Sequence, residues 1–442
     1  VTPHASEAGG ARARAGSRTR AADRAPVTFT PPPGTRFVFL GTEGFPRTVY
    51  DGQVLDLLRA LDRAGLRFDL LTLDPLLPRT LLSRDGRARL RKLAGALPGR
   101  CLVGPYVPFE DRVGAPVARL LLRVALRRAL RGEERVVVHA RGLGAAFAAV
   151  EVARAAPSQV KVVYDVRGDY EAEHAFHVAG RADARDRRVR VGLARIRRTE
   201  GIACRRADRV LCVSHALRDA LEARHPGTAD KTDVVPCGHD AERFRLDPAA
   251  RTAWRARLGL TDRFVVCFAG ALAAWQLPEQ AVRLGVLARR IRPDAHLLLL
   301  TPEVDRGLAL LRAAGLGSDA ASVRSAPHDD MPGLLNAADV GLLLRRRDAV
   351  NAAASPTKLA EYLACGLPVI VTDGIGDSSA LVRDGGAGEV VSDPDDPVAL
   401  ERALRRLMDE PPERAAVAAL ARERLARERF VGTYVRLYSG LV

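Results

Sequence analysis

The chain predicts an α/β fold with two doubly wound parallel-sheet domains, on three observations. Short apolar runs lack the polar alternation of half-exposed strands, helical periodicities separate them, and the series occurs twice around a Pro-Cys-Gly turn. In the first series Phe37-Val38-Phe39-Leu40 closes on Gly41, and Asp51 to Ala64 then carries apolar residues at helical spacing. Further strands are expected at Phe68 to Leu73, Val136 to His139, Lys161 to Asp165 and Arg209 to Val213. The second series follows Val234-Val235-Pro236-Cys237-Gly238, with strands expected at Phe264 to Phe268, Ala295 to Leu300, Val340 to Leu344 and Val369 to Val371. The expected organisation is a disordered basic tail over 1–35, ending in Pro31-Pro32-Pro33-Gly34, and Rossmann-like domains over 36–238 and 239–415. A helical segment over 416–442 is expected to pack back toward the first domain. Two such halves leave a cleft between strand ends, where open α/β sheets bind ligands.

Composition bounds the function classes. A length of 442 residues suits about two domains, and 47% apolar residues suffice for their cores. No apolar run is long enough to span a bilayer, and no signal-peptide pattern opens the sequence. Six cysteines without a CxxC pair argue for free thiols in a cytoplasmic setting. The formal charge is +16, yet only Lys92, Lys161, Lys231 and Lys358 are lysines among 69 basic residues, so arginine enrichment accounts for much of it. Single-strand nucleic-acid binding fits poorly, because aromatic stacking residues make up only 5% of the chain.

The segment Ser355-Pro356-Thr357-Lys358-Leu359-Ala360-Glu361 carries the chemistry. Ser as N-cap and Pro at the first helical position predict a helix start, with Lys358 in its first turn. A cation at the positive end of the macrodipole costs roughly 0.3–1 kcal/mol unless an anion binds there. Free amides of Ser355, Thr357 and their neighbours plus Lys358 form a candidate phosphate cradle. Glu361, three residues on, shares the helix face and offers a carboxylate to ribose hydroxyls. A solvated surface Lys–Glu pair is the plainer alternative. The position between two strands, in a chain with four lysines, favours the cleft.

Pro356-Thr357-Lys358-Leu359-Ala360-Glu361-Tyr362-Leu363-Ala364-Cys365-Gly366-Leu367-Pro368-Val369-Ile370 resembles the donor-site signature of glycosyltransferase family 4, the group 1 transferases. In the same order, Ala207 to Ser214, Asp233 to Asp240, Phe268-Ala269-Gly270-Ala271-Leu272 and Leu335 to Val340 resemble other family stretches, from about residue 36 onward. The resemblance implies a GT-B fold and a retaining, metal-independent transferase with a nucleoside-diphosphate sugar donor and no cofactor. It places Gly270, Ser355, Thr357, Lys358 and Glu361 at the donor, with Lys358 in a catalytic role, and His139 near the transferred sugar as the second catalytic candidate. Two departures stand out. The family's first glutamate falls on Ala353, and its Arg and Lys after the glycine turn fall on Ala271 and Gln276. Losing two cations at a leaving group costs about several kcal/mol of transition-state stabilisation unless others substitute. Lys358 and Arg345-Arg346-Arg347 are the available substitutes, and the pattern resembles a subgroup with Ser-Pro-Thr-Lys replacing the first glutamate.

In the other half, His139 closes a strand and reads either as a sugar contact or as a core histidine. Asp165 and Arg167 follow the next strand as candidates for the acceptor side or for a structural ion pair. Gly44, in the loop Gly41-Thr42-Glu43-Gly44, is a candidate for acceptor or phosphate approach, or a simple turn. Gly142-Leu143-Gly144 followed by Asp165 imitates a dinucleotide site but lacks its third glycine, where Phe147 stands. Asp393-Pro394-Asp395 imitates a metal-binding motif, whereas Asp395-Asp396-Pro397 reads as a helix cap, so no metal is expected. The Arg-rich helices Val117 to Arg131 and Arg181 to Arg206 are candidates for peripheral contact with anionic lipid at the inner membrane face.

The sequence thus points to a cytoplasmic glycosyltransferase acting on a glycan, glycolipid or natural-product acceptor, with no specific nucleic-acid partner. The alternative readings are a GT-B nucleotide-binding protein without transfer activity and a basic adaptor.

Overall fold

The structure is a computed structural model that describes residues 28–42, 51–74, 82–105, 124, 135–154, 160–179 and 187–442. Gly44, most of the helix expected over 117–131 and residues 1–27 of the expected tail lie outside the described residues. Two all-parallel sheets organise the rest. The first contains β1 (Thr35–Gly41), β2 (Phe68–Asp74), β3 (Cys101–Pro105), β4 (Arg135–Arg141), β5 (Val160–Val166), β6 (Arg209–Cys212) and β7 (Thr232–Val234), in spatial order β3-β2-β1-β4-β5-β6-β7. The second contains β8 (Phe264–Ala269), β9 (Ala295–Leu300), β10 (Ala321–Arg324), β11 (Val340–Leu343), β12 (Val369–Thr372) and β13 (Gly388–Val391), in order β10-β9-β8-β11-β12-β13. Each order reverses beside its first strand, and there the strand ends open a crevice.

Apolar runs became the central strands because both of their faces are covered. Val38, Leu40, Val138 and Val162 pack on one side of the first sheet, and Phe37, Phe39, Val137 and Val163 on the other. The second sheet divides in the same way, with Val265, Cys267 and Val369 against Val266, Phe268 and Ile370.

Two expected boundaries shift. Phe29 donates its backbone N–H to Ala64 O at 2.9 Å, so the first domain begins before residue 35. The C-terminal segment also divides. Helix Arg414–Arg424 stays with the second domain through Val417 and Ala421, and helix Arg427–Ser439 returns to the first. Tyr434, Val435, Leu437 and Tyr438 of that returning helix join Phe37 and Phe68 in the core, each burial worth roughly 1.5–3 kcal/mol. The chain therefore crosses between domains twice, side by side. His239 N–H donates to Leu425 O at 3.1 Å, and Arg427 N–H donates to His239 O at 2.9 Å.

Candidate functional site

The helix expected to carry the chemistry runs Thr357–Ala364, between β11 and β12. Its N-cap is Pro356, not Ser355, and no side chain caps it. Ser355 Oγ instead accepts a hydrogen bond from the Cys237 backbone N–H at 2.9 Å, tying the helix entrance to the interdomain passage. Thr357 Oγ1 accepts from Gln53 Nε2 of the first domain at 2.7 Å. Both hydroxyls thus stand at the domain boundary.

Lys358 rises from the first turn, donates to Gln276 Oε1, and lies 5.0 Å from the centre of the Phe268 ring. Gly270 makes room for it. Its φ is 137°, in the region that favours glycine, and an added Cβ would run into Lys358 Nζ. Gln276 closes the short helical turn Ala274–Gln276, and Leu277 follows with φ 48°. That is the one left-handed non-glycine among the described residues, and the buried Leu277 side chain holds it there. The residue standing at the family's second cation is therefore a neutral oxygen that orients the remaining lysine.

Lys358 and Glu361 are half-buried, beside the Ser355 and Thr357 contacts to the first domain. Burial, then the nearby Arg345 cation, pushes the Lys358 ammonium down to about 7, with Glu361 opposing. Burial pushes the Glu361 carboxyl up to about 7, opposed by Lys358, Arg427 and Arg243. No described residue hydrogen-bonds or ion-pairs with the Glu361 carboxylate. A carboxylate with free lone pairs beside an ammonium at a helix N-terminus can take hydroxyls and phosphate at once.

The opposite wall comes from the ends of β4 and β5. His139, Arg141 and Asp165 alternate onto the sheet face covered by helix Arg427–Ser439. His139 is 0% exposed, stacks on Phe39 at 4.6 Å between ring centres, and lies 2.7 Å from Tyr438 Oη through Nδ1. Its Nε2 lies 3.3 Å from Asp165 Oδ2. Both ring nitrogens are engaged inside the core, the arrangement that the core-histidine alternative expects, and Nε2 holds Asp165 in place. Asp165 is also joined by Arg167 at 3.4 Å and Arg141 at 3.8 Å. Burial alone would raise its carboxyl, but Arg167, His139 and Arg141 outweigh it and hold the group well below the usual carboxylate range. Asp165 thus sits at the centre of an ion-pair cluster, as the structural alternative for this residue expects.

Arg167 does reach the cleft, donating to Gln53 Oε1 at 3.1 Å and Cys237 Sγ at 2.9 Å. Arg141 donates to the same Gln53 oxygen at 2.5 Å. Gln53 thus links two first-domain guanidinium groups to Thr357 of the second domain. Sequence reading missed it, since one polar residue in an apolar helical stretch carries no signal. It sits on a π-helical turn, Asp51–Leu55, a distortion frequent at functional sites.

Other charged stretches are engaged locally. Asp396 Oδ1 caps helix Pro397–Asp409 by accepting from the amides of Val398 and Ala399, as the cap reading of the Asp395-Asp396-Pro397 stretch expects. In the Arg-rich helix Arg187–Arg206, Arg197 pairs with Glu171 and Arg206 with Glu151, so part of that charge is spent within the fold. Among the described residues, no helix is long and apolar enough to cross a membrane.

Two Rossmann-like sheets facing each other across a cleft, with a returning C-terminal helix, define the GT-B fold. Family models match in tandem, Glycosyltransferase Family 4 over residues 53–243 and Glycosyl transferases group 1 over residues 250–424. Among solved structures, HepE of Anabaena in complex with UDP aligns over 92% of this chain and 100% of its own, with TM-score 0.68 at 17% identity. Sucrose-phosphate synthase of Thermosynechococcus elongatus aligns over 92% and 99%, with TM-score 0.67 at 20% identity. These likenesses concern the fold. A D-inositol 3-phosphate glycosyltransferase of Salinispora arenicola is 32% identical over 235 residues, 49% of this chain and 50% of that protein. A GDP-mannose-dependent alpha-(1-6)-phosphatidylinositol monomannoside mannosyltransferase of Mycolicibacterium smegmatis is 29% identical over 220 residues, 49% of this chain and 57% of that protein. The chain spans about half the length of the curated relatives it matches.

Proposed function

We propose that the protein is a glycosyltransferase that moves a sugar from a nucleoside-diphosphate donor to an acceptor held by the first domain, with retention of anomeric configuration. The observation that carries this reading is the Glu361 carboxylate, without a partner among the described residues, one turn below Lys358 on a helix whose N-terminus no side chain caps. Glu361 accepts hydrogen bonds from ribose hydroxyls. Lys358 and the helix N-terminus stabilise the negative charge that grows on the departing diphosphate, the term that dominates such transfers. Loss of that group builds oxocarbenium character at the anomeric carbon, and attack from the same face retains configuration. The Gln53 bridge to Thr357 holds the two walls together, so that water is excluded while the bond breaks. Two of the relatives are named for inositol-bearing acceptors, which supports a polyol or glycolipid acceptor on the first-domain wall, with Arg167 as its cation. A glycolipid acceptor would bring the protein to the inner membrane face.

The test is incubation of the full chain with UDP-, GDP- and ADP-sugars, following donor hydrolysis and the anomeric configuration of the released sugar by proton NMR. Retained configuration, lost in Glu361→Ala and Lys358→Ala, is the expected result. Absence of both hydrolysis and nucleotide binding across the panel, or full activity in both variants, would sink the reading.

A further inference from the structure

Arg345 follows β11 at the open end of the second sheet. Its backbone N–H donates to Thr372 Oγ1 at 3.0 Å, and one terminal nitrogen donates to Asn351 Oδ1 at 3.1 Å. Among the described residues no carboxylate lies within 4.0 Å of its guanidinium, and its Nε is shut from solvent without a partner. Asp348 attracts the guanidinium without pairing with it, its Oδ1 accepting from the Asn351 backbone at 2.9 Å and side chain at 3.2 Å while its Oδ2 is shut from solvent without a partner. On the cleft side Arg345 faces Cys237 of the interdomain passage and repels the Lys358 ammonium. Arg346 and Arg347 are exposed, so one arginine of the three turns inward.

Two enclosed cations close enough to repel, neither ion-paired with a carboxylate among the described residues, carry both desolvation and mutual repulsion. A hydrophobic pair of the same size would avoid both costs. An anion bound between them removes the repulsion and supplies the missing hydrogen bonds. The glycine turn, meanwhile, offers no charge of its own, because Ala271 and Gln276 stand there and Gln276 only accepts from Lys358.

We propose that Arg345 is a direct ligand of the donor's diphosphate, so that this chain grips the leaving group from the loop after β11 together with Lys358. The glycine turn then orients Lys358 and contributes no cation. This assignment rests on the donor reading above and names the residue that replaces the missing pair.

The experiment uses the full chain and its Arg345→Met and Arg345→Lys variants, titrated by calorimetry with UDP, GDP, UMP, GMP and inorganic pyrophosphate. Arg345→Met is expected to weaken nucleoside diphosphates and pyrophosphate about 30-fold, and monophosphates less than about 3-fold, since a charge-assisted guanidinium–phosphate contact is lost. Adding Gln276→Lys to Arg345→Met returns a cation from the other side and is expected to restore part of the diphosphate affinity, which a merely structural role for Arg345 would not produce. Should Arg345→Met fail to fold, Arg345→Lys decides, with a loss of about 5-fold expected for diphosphates alone as the fork geometry disappears. Unchanged diphosphate affinity in the folded variant, or equal losses for mono- and diphosphates, overturns the role of Arg345 and leaves the donor reading standing. A wild-type chain that binds none of the nucleotides and no pyrophosphate overturns the donor reading and this assignment together. Pyrophosphate binding that depends on Arg345, without nucleotide binding, supports the anion site and overturns only the donor reading.

Discussion

On the first-domain wall of the cleft, Asp165 is met by Arg167, His139 and Arg141, and those arginines also find Gln53. On the second-domain wall, among the described residues, Lys358 has only a neutral amide oxygen, Arg345 has no carboxylate within 4.0 Å, and the Glu361 carboxylate has no partner. Both walls are buried and densely charged, so the difference lies in whether charges are matched inside the fold. A matched network holds a rigid surface and resists change at low cost. Unmatched charge is a standing penalty that a ligand removes, and such penalties gather where binding energy is used. Substitutions should accordingly divide, with those on the first wall costing stability and those on the second costing ligand.

The largest effect is expected at Lys358. Lys358→Met should slow sugar transfer or donor hydrolysis about 10²–10³-fold, the range for losing one preorganised transition-state contact. Thermal protection by UDP or GDP should disappear with it. The unliganded variant should nevertheless melt about 2 °C or more higher, because a desolvated, repelled cation has gone. A melting temperature that falls along with the rate would erase the distinction between the walls.

Asp165→Asn is the mirror experiment. It leaves Arg141 and Arg167 facing a neutral group in a buried setting and should cost about 3 kcal/mol of stability by urea titration. UDP and GDP affinity should stay within about twofold.

Next comes pH. The Glu361 carboxyl is raised from 4.5 to about 7, so between those values the folded state holds the extra proton, and stability falls as pH rises. The Lys358 ammonium is lowered from 10.5 to about 7, so above 7 the unfolded state holds the extra proton, and stability climbs again. The unliganded protein should therefore show a shallow stability minimum near neutrality that a Glu361→Gln, Lys358→Met double variant flattens. Melting temperatures across pH 5 to 9 check it, and an identical pH profile in the double variant would place the shifts elsewhere.

Legibility in the sequence follows the same physical divide. Nine strands were readable because they are covered on both faces and spell uninterrupted apolar runs. The strands that escaped, β3, β7, β10 and β13, are the edges of the two sheets. Thr232-Asp233-Val234 and Ala321-Ser322-Val323-Arg324 mix polar with apolar residues because one flank has no neighbouring strand. At the site, Lys358 and Glu361 were visible through helix-start grammar and spacing. Arg345 was hidden among three consecutive arginines, and only the fold distinguishes the one turned inward. The surroundings of His139 were hidden for a related reason. A strand end near a cleft does not reveal which sheet face its side chain takes, and here the returning helix, 299 residues away in sequence at Tyr438, covers that face.

The smallest effect belongs to that contact. Tyr438→Phe keeps the ring among Phe37, Phe68 and Tyr434 and removes only the hydroxyl at His139 Nδ1. The buried imidazole nitrogen loses its partner, at a cost of about 1–3 kcal/mol, while Asp165 keeps Arg141 and Arg167. Stability should drop slightly, with transfer rate and nucleotide affinity unchanged. A loss of rate larger than the loss of stability would mean that His139 acts on the sugar from within the core, and the first wall would then have to be counted as catalytic.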